Sequence, residues 1–144
     1  MKLLLPALLL LPLLPACQQN AEQKAQAQVS SDVRNHFTHN EDYRPGEFRT
    51  RPFTRYDSLA YQARMAVLNA AALPGGTVPP LALPPRRAAD TVRIGMLVAH
   101  TYDTSGDHGI ARHDSATYVV YRSGTMYEVV PEAVVQARLR QLER

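Results

Sequence analysis

The chain has 144 residues, with 16 basic and 13 acidic side chains and a formal charge of +3. That length fits one domain, or a small domain with a tail. The cationic excess is too small for a polybasic nucleic-acid protein, and no zinc-finger, helix-turn-helix or RNA-binding pattern accompanies it. A single cysteine, Cys17, rules out an internal disulfide. Fourteen of the sixteen cations are arginine and proline is frequent, which base composition produces as easily as function does.

The first element is a targeting segment. Met1 and Lys2 give a short positive start, and Leu3 to Pro15 contains only Leu, Pro and Ala. This run is too short to span a bilayer, which takes about 20 apolar residues, but suits the apolar core of a signal peptide. It ends Leu14-Pro15-Ala16-Cys17 and turns abruptly polar at Gln18 and Gln19. These residues resemble the lipobox of bacterial lipoproteins, with Pro15 departing from the usual small or hydroxylated residue. The resemblance implies a signal peptide over 1–16, cleavage after Ala16, and diacylglycerol on the Cys17 sulfur, often with acylation of the new amino group. The covalent lipid is the only cofactor expected. A mature chain of 128 residues from Cys17 to Arg144 loses Lys2 and carries a formal +2.

Residues 18–30 hold five glutamines and few large apolar groups, so 17–30 reads as a flexible tether reaching roughly 20 Å. The domain is then expected over 31–144. Val29, Val33 and Phe37 recur every four residues, a short helix over about 31–38. Tyr43-Arg44-Pro45-Gly46 reads as a turn, with Phe48 and Phe53 after it as plugs against the core. Thr54 and Asp57 form a capping-box pattern ahead of a helix over about 56–72, stopped by Leu73-Pro74-Gly75-Gly76. Pro74, Pro79, Pro80, Pro84 and Pro85 make 74–90 an extended, poorly ordered connector. Strict alternation from Val92 to Tyr102 predicts a strand over about 91–102. Two more follow, about 115–122 and 125–130, joined through Ser123-Gly124 as a tight hairpin. Pro131 then opens a helix over about 131–143. The fold class expected is α+β, a three-stranded antiparallel sheet covered on one face by two or three helices.

A second resemblance rests on Tyr43-Arg44-Pro45 before Phe48, a helix, the strand motif Val98-Ala99-His100-Thr101-Tyr102, a loop with Gly106 and Gly109, and a closing hairpin. Over about residues 31–130 these are similar to small uncharacterised lipoproteins of Bacteroidota. Those relatives commonly place Arg-Ala-x-Asn after the tyrosine, where this chain has Asp103-Thr104-Ser105. The resemblance implies no activity.

Chemistry-bearing residues concentrate at 100–114. His100, Asp103, Asp107, His108 and His113 are imidazoles and carboxylates of the kind that hold zinc, but HExxH spacing and the calcium-loop pattern are both missing. Polar residues of this type also serve any hairpin tip. His36 and His39 are three apart near Glu41 and Asp42, a spacing that a polar helix end equally produces. No GxSxG or SxxK motif points to nucleophilic catalysis, and Ser105 and Ser115 are only sequence neighbours of histidines. Arg44, Arg49, Arg51 and Arg55, interleaved with aromatics, are candidates for contact with anionic membrane headgroups, or stems that cover the core edge. The leading expectation is a non-enzymatic, monomeric module, lipid-anchored in the cell envelope on the periplasmic face of the outer membrane. Its partner would be another envelope protein. The alternative is a metal-binding or metal-dependent protein using the 100–114 loop.

Overall fold

In the computed structural model the described residues are 14–37, 43–74, 78–105 and 111–142, with side chains described from Ala21 onward. The expected signal-peptide core before Leu14 and the loop residues Asp107 and His108 lie outside them, as does His39. The architecture is α+β. Helix α1 (Leu14–Asn35) is followed by strand β1 (Tyr43–Thr54), helix α2 (Arg55–Ala71), strands β2 (Arg93–Ser105), β3 (Ala111–Tyr121) and β4 (Met126–Glu128), and helix α3 (Glu132–Leu142). The strands form one antiparallel sheet in the order β1-β2-β3-β4.

Three features correct the reading from sequence. The sheet has a fourth strand, β1, where a turn and two plugs were expected. The first helix spans Leu14–Asn35, so the expected tether over 17–30 is helical. Helices also lie on both faces of the sheet. Glutamine and alanine are good helix formers, and the four-residue period of Val29 and Val33 extends back through Ala25. All three are buried in the core cluster with Met96, Val98 and Tyr118. Side chains too small to suggest a core from sequence therefore allow α1 to approach one face of the sheet closely. The opposite face is covered by α2 and α3, where Val67, Val135 and Leu139 form a second cluster.

β1 is an edge strand, which accommodates Pro45 and Pro52, neither of which donates to a ladder. Its register slips between Pro45 and Phe48. Pro45 pairs with Tyr102 and Phe48 with His100, so Gly46 and Glu47 together oppose Thr101 in a β-bulge. The bulge resets the alternation, and Phe48 rather than Glu47 comes to lie beside His100. Glycine is required there: a Cβ on Gly46 would sit 2.7 Å from the Thr101 carbonyl oxygen. Thr101 Oγ1 accepts from the Glu47 N–H at 3.0 Å, closing the bulge.

α2 starts with the expected capping box. The Thr54 hydroxyl oxygen accepts from the Asp57 N–H, and the Asp57 carboxylate accepts from the Thr54 N–H at 2.8 Å. Burial works against the Asp57 charge, but the bonds from Thr54 and the nearby Arg51 guanidinium hold its carboxyl below the ordinary value. Beyond α2, residues 78–87 have no regular structure. Val78, Pro79 and Leu81 line one small hollow with Val67, Leu139 and Leu142, so this part of the connector borders the α2–α3 cluster. A 3-10 turn at Ala88–Thr91 buries Asp90 opposite Arg55, at 3.7 Å.

Candidate functional site

His100 is fully buried at the centre of the sheet. Phe48 stacks on its ring with centroids 3.9 Å apart and planes 5° from parallel. Its Nδ1 lies 3.3 Å from the Glu47 carbonyl oxygen and its Nε2 2.6 Å from the Tyr43 hydroxyl, which lies 3.1 Å from Ser30 Oγ. A carbonyl only accepts, so Nδ1 carries the proton. Burial lowers the His100 pKa, with the Glu47 contact opposing in part, and the ring is neutral at pH 7. Nε2 then accepts from the Tyr43 hydroxyl, whose oxygen accepts from Ser30. One directed chain runs from α1 through β1 to β2 and back to the bulge. Both ring nitrogens are used internally, so His100 ties three elements together and is not positioned as a base for an outside substrate.

The remaining metal candidates lie elsewhere. Asp103 and His113 are cross-strand partners, with Asp103 Oδ1 2.8 Å from His113 Nδ1, both well exposed. By strand alternation they occupy the face opposite His100, so His100 cannot share an ion with them. Among the described residues, no three His, Cys, Asp or Glu side chains gather in a metal-binding group. His36 Nδ1 is 2.8 Å from the Asp32 carbonyl oxygen, a local helix-end contact.

The expected basic surface is also dispersed. Arg44 and Arg51 are separated by about 23 Å along β1. Arg49 faces Glu47 at 3.4 Å, Arg51 faces Asp57 at 3.3 Å and Arg55 faces Asp90 at 3.7 Å. These cations have local acid partners and do not form one patch.

Sequence reading missed a cleft between the sheet and the α2–α3 pair, of about 180 Å³. Phe53, Leu97, Val119 and Val135 line it, with Ala60 on α2 leaving room above them. Ion pairs flank it: Arg51 with Asp57, and Arg64 with Glu132 at 3.0 Å. Tyr61 Oη accepts from the Val130 N–H at 3.2 Å, fixing the approach to α3. Arg64 Nε is buried without a partner among the described residues, so the guanidinium is held for its contact with Glu132 at some cost. The signals for this cleft were the outward-facing residues of β2 and β3, Leu97 and Val119, which a sheet covered on one face would leave exposed.

No protein-family model matches the chain, and neither a curated protein nor a solved structure is similar to it.

Proposed function

We propose that the protein is a non-enzymatic, lipid-anchored module of the bacterial envelope that binds a partner protein in the cleft between the sheet and α2–α3. The cleft is the observation that carries this reading. A cavity of about 150 Å³ lined by aliphatic and aromatic groups accepts a benzene-sized group, and this cleft, at about 180 Å³, suits one aromatic or branched anchor side chain. Flanking charges around an apolar centre resemble the anatomy of an interface hot spot. The anchor reading rests on Leu14-Pro15-Ala16-Cys17 and on the polar residues after it. No helix among the described residues is long and apolar enough to cross a membrane. The periplasmic face of the outer membrane is the proposed location, since no acidic residue occupies the two positions after Cys17.

A photo-reactive phenylalanine analogue at Tyr56, beside the cleft, should give a discrete adduct in intact envelopes. The same probe at exposed Gln62 should not, and Ala60→Met, which fills the cleft, should abolish the Tyr56 adduct while leaving Tm nearly unchanged. Equal adducts at both positions would remove the cleft from consideration. Cys17→Ser should abolish incorporation of a palmitate analogue; unchanged incorporation would remove the anchor.

One observation favours a second reading. The Asp103–His113 contact orients an exposed imidazole as carboxylates do for metal-ligating histidines, leaving Nε2 of His113 for an ion whose other ligands would come from the adjoining loop.

A further inference from the structure

We infer that the end of the molecule nearest Cys17 carries a binding site for the phosphate of an anionic phospholipid headgroup, formed by Lys24, Arg93 and Arg122. These three side chains line a single hollow of about 260 Å³ between α1 and the β3–β4 turn, and no acidic residue lines it. The inference rests on the lipid-anchor reading of Cys17 for its orientation.

The hollow exists because of how α1 is fastened. Ala25 packs beside Met96 in the core, and Gln28 Nε2 donates to the Gly124 carbonyl oxygen at 2.6 Å. Gly124 holds a positive φ of 86° in the turn. Lys24 immediately precedes Ala25 on α1, one helical turn before Gln28. Arg93 enters from the start of β2, with Nη2 2.8 Å from the Met96 sulfur and Nε 3.3 Å from the Gly95 carbonyl oxygen. Neither contact neutralises its charge. Arg122 follows the end of β3 and is exposed, as is Lys24. None of the three has a salt-bridge partner among the described residues, in contrast to Arg49, Arg51 and Arg55 on β1 and α2.

Position identifies the occupant. Helix α1 includes Cys17, and Cys17, Ala21, Lys24 and Gln28 are spaced four, three and four residues apart, along one helical stripe. Ala21, Lys24 and Gln28 line the hollow. The seven residues from Cys17 to Lys24 rise about 10 Å, roughly the screening length at physiological salt. A lipid on Cys17 therefore brings the headgroup layer within electrostatic reach of three cations converging on one hollow. A lipid phosphate has the charge and the hydrogen-bond acceptors these side chains require. The helix replaces the expected tether, so the hollow is presented toward the bilayer instead of wandering above it.

Lys24 is the only lysine after Cys17 and supplies the readout. The full protein, extracted from membranes, is placed in vesicles of phosphatidylcholine alone or mixed with phosphatidylglycerol. It is then treated with an uncharged amine-acylating reagent, and modification of Lys24 is followed by mass spectrometry. Phosphatidylglycerol should protect Lys24 about fivefold or more, the effect of one basic residue near an anionic surface. Arg122→Gln, an exposed change that leaves the core alone, should weaken the protection, and Arg93→Gln with Arg122→Gln should remove it. Equal labelling on both vesicle types overturns the site, as does protection that survives the double variant. Equal protection by inorganic phosphate on phosphatidylcholine vesicles would show a free-anion site and also overturn it. The Cys17 peptide mass in the same spectra tests the anchor separately. A cysteine without diacylglycerol overturns the orientation argued here, while vesicle-dependent protection of Lys24 still decides the headgroup site.

Discussion

The Tyr43 hydroxyl donates to Nε2 of His100 across 2.6 Å, inside the sheet–α1 layer, 57 residues apart in sequence. The direction is fixed at the far side of the ring, where Nδ1 faces the Glu47 carbonyl oxygen. Tyr43→Phe keeps the ring, its stacking with Phe37 and its burial, but leaves Nε2 without a donor. An unsatisfied buried acceptor costs about 1–3 kcal/mol, and the variant should lose that much by urea denaturation. His100→Leu combined with Tyr43→Phe should cost less than the two single changes together, because each single change already breaks the same bond. Additive losses would show that the pair is not coupled.

The same geometry gives a pH dependence. Burial lowers the His100 pKa from its ordinary value of 6.5, so below 6.5 the unfolded chain takes up a proton that the folded chain refuses. The unfolded state binds more protons there, and stability rises with pH through that range. His100 should contribute a flat term above pH 6.5 and an increasing loss below it, with a limiting slope of about 1.4 kcal/mol per pH unit. Chemical denaturation at several pH values should show this fall in the native sequence and a reduced fall in His100→Leu. Identical profiles would mean that His100 accepts its proton in the folded state as readily as in the unfolded chain.

Gly46 makes the bulge possible. A methyl group there meets the Thr101 carbonyl oxygen at 2.7 Å and the Thr101 hydroxyl at 2.8 Å. The carbonyl belongs to a central strand and cannot swing aside. Gly46→Ala should therefore cost about 1–3 kcal/mol, the range for overpacking a tight site. It should also shift the NMR signals of Phe48 and His100, whose stacking depends on the bulge. An unchanged Tm would show that the edge strand yields freely.

The parts legible from sequence were those with one dominant signal. Alternation from Val92 to Tyr102 marked β2, and the Thr54–Asp57 box together with the absence of Gly and Pro marked α2. β1 was illegible because its bulge breaks the alternation: Tyr43 and Phe48, five residues apart, fall on the same face, and Pro45-Gly46 has the composition of a turn. α1 was underestimated because Ala25 contributes to the core through close approach rather than through apolar bulk. His100 was noticed as a candidate metal ligand, while its actual partners, Tyr43 and Glu47, lie 57 and 53 positions away and have no local pattern that would join them. The cleft depends on which face α2 and α3 cover, and alternation within a strand does not say which face a given helix takes.

The N-terminal helix also changes where the domain can be cut. On the tether reading, a chain beginning at Ser30 should fold alone. In the structure that cut removes Ala25, the fully buried Val29 and the Gln28–Gly124 bond, exposing Met96, Val98 and Val120. A chain starting at Gln18 should unfold cooperatively, whereas one starting at Ser30 should melt far lower or bind a hydrophobic dye. Val29→Ala in the longer chain should cost about 2 kcal/mol or more, between the usual values for smaller and larger core truncations. Equal Tm for the two chains would show that α1 contributes nothing to the fold.

The metal reading is decided on the sheet face that carries Asp103 and His113. Zinc needs three or four ligands within about 2.0–2.2 Å of one ion, and His100 cannot supply one from the opposite face with both its nitrogens engaged. Asp103 and His113 contact each other at 2.8 Å, so together they offer one imidazole nitrogen and one carboxylate. Asp107 and His108 lie outside the described residues, and a site would have to take its remaining ligands from them. If it exists, removing any one of the four should release the ion, because binding depends on all the ligands converging. If it does not, Asp103–His113 is an exposed surface pair worth about 1 kcal/mol or less. We expect the second outcome: no stoichiometric zinc after dialysis of tag-free protein, and a Tm within a few degrees of the native value for His108→Ala with His113→Ala. Zinc retained at one equivalent by the native protein, and lost in that double variant, would replace the partner-binding reading with a metalloprotein.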